Sequence, residues 1–358
     1  MRTLKITQLL LAGVACLSFS ACNNDDDTNQ QPLPDTSNVY YIVNEGSFNS
    51  GNGNITFYNT NADTQRVEVD FFRKVNNRAL GDVVQSLGFA NGLGYIVVNG
   101  SSKVEVVDSA SFASLATITS VSSPRYFKAI SASKGYLTDW FSNSVQIINL
   151  NDFSVTGTIN TGAGPEQIVV HNQQAYISNT GGYANDSIVS VINTATDAVE
   201  TNIQVGIKPS AMHIDRNNNL WVLCTGQYGG FNGFVDKAGS LVKINTTTNE
   251  VELTLPMPAA TDHPTVMAMS PDRDFLYFVL NDKVFRMNIA DTQLPTEAFI
   301  TKPGTMFYGL AVSAKNGDIV TTEAAGSSTG RMYIFNSNGN DKGSLSSGGH
   351  FPNGVVVR

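Results

Sequence analysis

Positive charge is sparse in this sequence and nowhere clustered: 22 Lys and Arg stand against 30 Asp and Glu, for a formal net charge of -8. Without a basic stripe a chain cannot displace the counterions of a phosphate backbone, so no nucleic-acid partner is expected. Long apolar runs are missing too. Ile6 to Phe19 is mostly apolar but too short to span a bilayer, and no later segment shows a convincing helical period. The usual supports of catalysis are absent: there is no Gly-x-Ser-x-Gly elbow, phosphate loop or dinucleotide fingerprint. The four histidines, His171, His213, His263 and His350, lack metal-ligand spacing. No metal, no cofactor and no catalytic residue is therefore expected. Asp215 to Asn219 lacks the glycine and distal glutamate of a calcium loop and reads as a hairpin turn.

What is present suffices for a packed core, with 41% apolar and 15% charged residues. Arg2 and Lys5 ahead of the first apolar stretch mark residues 1–21 as an export leader. It ends in Phe19-Ser20-Ala21-Cys22, which resembles a bacterial lipobox with Phe19 where Leu is usual. The resemblance implies diacylation of Cys22; the alternative is an ordinary cleavage site nearby. Residues 22–37 lack the apolar side chains needed to bury anything and read as a flexible tether. Their acidic run, Asn23 to Asp27, resembles the surface-export signal of Bacteroidetes lipoproteins. That implies the outer face of the outer membrane, with the lipid anchor as the only membrane contact. Cys16 falls in the leader, so the folded part keeps only Cys224, in an apolar run beginning at Leu220. No intrachain disulfide is possible, and Cys224 is expected in the core.

From residue 38 onward one pattern recurs. Asp82, Pro124, Pro165, Pro209, Pro264, Phe307 and Pro352 begin equivalent apolar runs at intervals of 42, 41, 44, 55, 43 and 45 residues. Each unit holds four short runs with alternation and β-branched enrichment. In one unit these are Gly164–Val170, Gln174–Ser178, Ser187–Ile192 and Ala198–Ile203, separated by Asn, Asp and Gly turns. Four strands in about 40 to 45 residues make a propeller blade. Residues 38–358 are thus expected to form one all-β domain, a seven-bladed β-propeller with four antiparallel strands per blade. The last anchor lies six residues from the C-terminus. The C-terminal strand should therefore join Val39–Val43, Asn54–Tyr58 and Gln65–Asp70 in the N-terminal blade and close the ring. An eighth blade is the alternative, but no eighth anchor occurs.

The Gly-x-x-Pro-like turns, the Tyr- or Trp-bearing strands and the third strands of the form V-x-V-I-N/D-x-x-T resemble the YncE or YVTN-like seven-bladed propellers. Ile42 to Phe48, Gly81 to Ser86, Val97 to Asn99 and Leu137 to Trp140 further resemble a Bacteroidetes lipoprotein subfamily of such propellers. Some of its members are surface proteins that bind vitamin B12 and sit on a TonB-dependent corrinoid transporter. The resemblance implies a non-enzymatic surface protein that captures a small-molecule ligand, a corrinoid, and passes it to such a transporter.

In this architecture the second-to-third-strand loops and the connections between blades share one face. The loops carry Asn44, Glu45, Phe48, Asn99, Asp139, Trp140, Phe141, Asn179, Tyr183, Gln227, Tyr228, Phe231, Asn281 and Glu323. The connections add Arg125, Tyr126, His263, Phe307, Tyr308, His350 and Phe351. Large aromatics on glycine-rich loops suit a ligand face, and the insertion from Thr225 to Gly239 suggests a binding lip. Rings packed back onto neighbouring blades are the plainer alternative. Aromatics interleaved with amides fit a corrinoid, but equally a glycan or protein loop, which keeps a surface adhesin in view. Glu45 and Glu323, at equivalent positions, could act as acid and base, as in propeller lactonases and lyases, although screened surface charges are the plainer reading.

Overall fold

The computed structural model describes residues 38–230, 233–326 and 328–358. The leader, the tether with Cys22, and Phe231 lie outside the described residues. Seven sheets of four antiparallel strands form seven blades. The first strand of every blade contacts the first strands of both neighbours, so these strands surround a common axis. Ring closure follows the expected route: Pro352–Val357 pairs antiparallel with Val39–Asn44, from Tyr40 opposite Val357 to Asn44 opposite Pro352. The backbones of Val39 and Arg358 exchange two hydrogen bonds of 2.8 Å that seal the junction.

Two local devices explain why these residues make blades. In all seven units the third strand runs into an Asn or Asp whose side-chain oxygen accepts a backbone N–H two residues on. Asn59, Asp108, Asn149, Asn193, Asn245, Asn288 and Asn336 do this, at 2.8 to 3.1 Å. Such Asx turns satisfy the backbone exactly where the chain must reverse, without help from distant residues. The second device is apolar. The buried clusters each span two consecutive blades, as when Tyr41, Val43 and Ile55 of the first pack on Val84, Leu87, Ile96 and Phe112 of the second. Alternate strand residues thus fill the seams between blades. Cys224 is fully buried in one such seam. The Asp215 turn joins a first to a second strand on the face opposite the loops, with its carboxylate accepting from the Asn217 and Asn219 backbones and Trp221 Nε1.

Two expectations are corrected. The second blade begins at Val84, not Asp82: Val84 pairs with Val98 as Pro124 pairs with Asp139. Asp82 instead accepts hydrogen bonds from the backbones of Asn49 and Gly51 and secures the first blade's loop. The outer strand of the first blade is only Arg66–Glu68, followed by a short helix, Phe71–Asn76. Consecutive Phe71 and Phe72 cause the change, because a strand would point one of them at solvent whereas the helix buries both.

Candidate ligand-binding site

The site arises from a break in strand alternation. In six of the first strands the register slips immediately after the first paired residue, a β-bulge. In four of these the residue before that pair, Val83, Gly164, Lys208 or Phe351, has φ between 50° and 57°. A bulge re-aims the side chain beside it. Gln85, Arg125, Glu166, Tyr308 and Asn353, each one past the first paired residue, meet in one hydrogen-bond network from four different blades and the closing strand.

Arg125 is its hub. Nε donates to Glu166 Oε2 at 3.0 Å and Nη2 to Glu166 Oε1 at 2.8 Å, while Nη1 donates to Gln85 Oε1. The guanidinium lies 3.9 Å from the centroid of the Trp140 ring, and Trp140 Nε1 donates to Glu166 Oε2 at 2.8 Å. Both charges of this pair are nearly buried, and the fork geometry together with the stacked ring compensates their desolvation. On the other side Glu45 accepts from Asn353 Nδ2 at 2.9 Å and from the Tyr308 hydroxyl at 3.2 Å. Burial pushes the Glu45 carboxyl above its ordinary range, and those two hydrogen bonds offset only part of the rise. Tyr126, which is absent from the cavity lining described below, interacts with Gln85 and Gln167, and burial pushes its hydroxyl up to about 12.

Above the network opens a cavity of about 390 Å³. Of the residues expected from sequence, Glu45, Phe48, Asn99, Arg125, Trp140, Tyr183 and Tyr308 line it, as does Phe351. Asn99 is held there by Nδ2 donating to Ser123 Oγ at 2.9 Å and Pro124 O at 3.0 Å. Tyr183 meets Trp140 edge to face, with centroids 6.0 Å apart. The arrangement presents acid, amide, cation and aromatic faces to one space and can bind a ligand by stacking and hydrogen bonding together.

Other expected residues are structural. Asn44 is fully buried, its Nδ2 donating to Asn54 Oδ1 and Ser347 O, each at 2.9 Å. The buried Asp139 carboxylate accepts from the Ser122, Ser123 and Ser142 backbones. Asn179 donates to Ile177 O, Ile188 O and Ser190 Oγ inside the fourth blade. Strand alternation turns these last strand residues inward. Glu323 accepts the Tyr333 hydroxyl at 2.5 Å, away from the cavity lining, and Asn281 donates to Asp262 Oδ1. Glu323 ends its strand opposite Phe307, whereas Glu45 lies one residue beyond its own strand end, so the two are not equivalent. Phe307 is core. His350 meets Ser328 O. His263 braces the lip, Nδ1 against Thr225 O and Nε2 against Asp236 Oδ1, each at 3.1 Å, with the Tyr228 ring 4.1 Å from its own.

Sequence reasoning missed Gln85, Glu166 and Asn353. A signal existed: the position after each anchor is polar in Arg125, Glu166, Ser210, Thr265 and Asn353. Misplacing the second anchor at Asp82 hid Gln85.

Residues 38–357 match the model of a family described as a domain of unknown function, DUF5074. A search of curated proteins gave no match. Among solved structures, a quinonprotein alcohol dehydrogenase-like protein from Bacteroides thetaiotaomicron is similar at TM-score 0.68 and 14% identity, over 89% of this chain and 78% of that one. The hydrazine synthase of Kuenenia stuttgartiensis is similar at TM-score 0.54 and 14% identity, over 73% and 80%. The dihydro-heme d1 dehydrogenase NirN follows at TM-score 0.58 and 9% identity, over 91% and 75%. At these identities the likeness is one of fold alone.

Proposed function

We propose that this chain, which belongs to the DUF5074 family, is a non-enzymatic binding propeller of the cell surface that captures a corrinoid and passes it to a TonB-dependent transporter. One observation carries the binding reading. Among the described residues four aromatic side chains are exposed, Phe48 at 75%, Phe141 at 67%, Tyr183 at 77% and Tyr228 at 47%, and all four lie on second-to-third-strand loops. Exposed rings scattered by chance would not favour one face, and rings gathered around a polar mouth suit a broad, partly apolar ligand fringed with amides. The mouth cavity holds only part of a corrinoid, so the macrocycle would lie across the rim with peripheral amides reaching Glu45, Asn99 and Arg125.

Cys22 is the lipid anchor in this proposal. The described chain begins at Asn38, at the end of the first blade opposite Asn44 and the rim.

Calorimetry and absorbance titration of the purified protein with cyanocobalamin test the reading. Saturable binding at micromolar concentration or below supports it. Neither heat nor spectral change overturns it, and binding of a surface glycan instead would establish the adhesin reading.

A further inference from the structure

Two carboxylates meet at the base of the axial mouth, and they differ in what holds them. Glu166 takes both prongs of the Arg125 fork, at 2.8 and 3.0 Å, together with Trp140 Nε1, so the guanidinium charge is neutralised there. Glu45 has no such partner. Among the described residues no Lys, Arg or His forms an ion pair with it, and the charged groups acting on it are the already paired Arg125 and Glu166. Its two donors, Asn353 Nδ2 at 2.9 Å and the Tyr308 hydroxyl at 3.2 Å, are neutral, whereas a carboxylate offers about four acceptor positions. The three charged groups together leave the mouth negative.

Glu45 is also within reach of a ligand and fixed in place. It lines the cavity and is only partly buried. Its backbone N–H donates to Phe351 O at 3.0 Å and its carbonyl accepts from the Val84 N–H at 3.2 Å, which pins it between the closing strand and the second blade. A carboxylate held on both sides cannot swing far from a like charge brought against it. Phe48, Tyr308 and Phe351 line the same space, and their rings lower the local polarity and so strengthen both attraction and repulsion. Desolvation, which holds this carboxyl above its ordinary range, agrees with an ionised form short of partners within the protein.

We propose that Glu45 determines the specificity of the mouth: its carboxylate accepts an N–H from the ligand group that enters and excludes a carboxylate from the same place. The inference rests on the corrinoid reading for its ligand, where it makes the protein read the amidation of the corrinoid edge. A peripheral carboxamide is taken and the corresponding acid refused. A like charge set against a partly desolvated carboxylate discriminates by roughly tenfold or more.

The test is titration of the purified protein, above neutral pH, with cyanocobalamin and with each of its peripheral monoacids, in which one carboxamide is replaced by a carboxylate. Acids of side chains outside the mouth are expected to bind like cyanocobalamin, and the isomer whose acid enters the mouth about tenfold weaker or more. Glu45→Gln should restore that isomer to within a few-fold of cyanocobalamin, with melting temperature confirming the fold. Monoacids that all match cyanocobalamin, or a Glu45→Gln variant that lowers every affinity by one factor, overturn the role of Glu45 while leaving corrinoid capture standing. If no corrinoid binds, the functional proposal falls, and phenylacetamide against phenylacetate decides Glu45 by ligand-observed NMR. Saturation transfer to the amide alone, joined by the acid in Glu45→Gln, supports the inference; equal transfer to both, or none to either, overturns it.

Discussion

The last residue of a second strand and the residue after it live in different worlds in this propeller. Asn44, Asp139 and Asn179 end their strands and are buried in hydrogen bonds to loop backbone and neighbouring strands. Glu45, Asn99 and Trp140, at the next position, line the axial cavity. Similar residue types occupy both columns, so composition does not separate scaffold from site. A single step along an extended chain reverses the side chain, and that step divides the residues that hold the loop from those the loop displays.

Substitutions in the two columns should therefore have opposite signatures. Asp139→Ala strands three backbone N–H groups and should cost about 3 kcal/mol of stability, seen as a lower chemical-denaturation midpoint. Asn44→Ala should cost about 2 kcal/mol by the same assay, because Ser347 O and Asn54 lose a buried donor. If either variant keeps parental stability yet loses ligand, the division of roles is wrong. Trp140→Ala should cost only about 1 kcal/mol of stability but weaken ligand binding tenfold or more, since a stacking anchor goes. Affinity equal to the parent would mean that the ligand sits elsewhere.

The smaller effects sharpen the contrast. Tyr183→Ala, at an exposed ring, should leave the melting temperature unchanged and reduce affinity several-fold. Glu45→Gln should act through pH. Burial raises the folded carboxyl's pKa above the ordinary glutamate value, so the folded state binds more protons than the unfolded one between the two values. The parental protein accordingly loses stability as pH rises through that window. Melting curves from pH 4.5 to 7 should show a flatter profile in the variant, and identical profiles would refute the burial argument.

Much of the fold was legible because its signals are local. The Asx residues Asn149, Asn193 and Asn245 recur at the same point of each unit and act over two residues, so their spacing in sequence is their spacing in blades. The site was legible only in part. Phe48, Trp140 and Tyr183 stood out as rings on loops, whereas Glu166 looks like any polar residue on a strand until the bulge beside Pro165 turns it to the axis. Phe71 and Phe72 carried a helix too short for periodicity to reveal.

The sequence by itself determined the number of blades, the four-strand unit and the closing exchange of termini, because alternation, turn chemistry and repeat length are properties of neighbouring residues. Tertiary structure alone decided which polar residues face the mouth. Asn353 and Glu45 are 308 positions apart and share a hydrogen bond only because the ring closes, and a one-residue slip in six of the inner strands selects the side chain that arrives there.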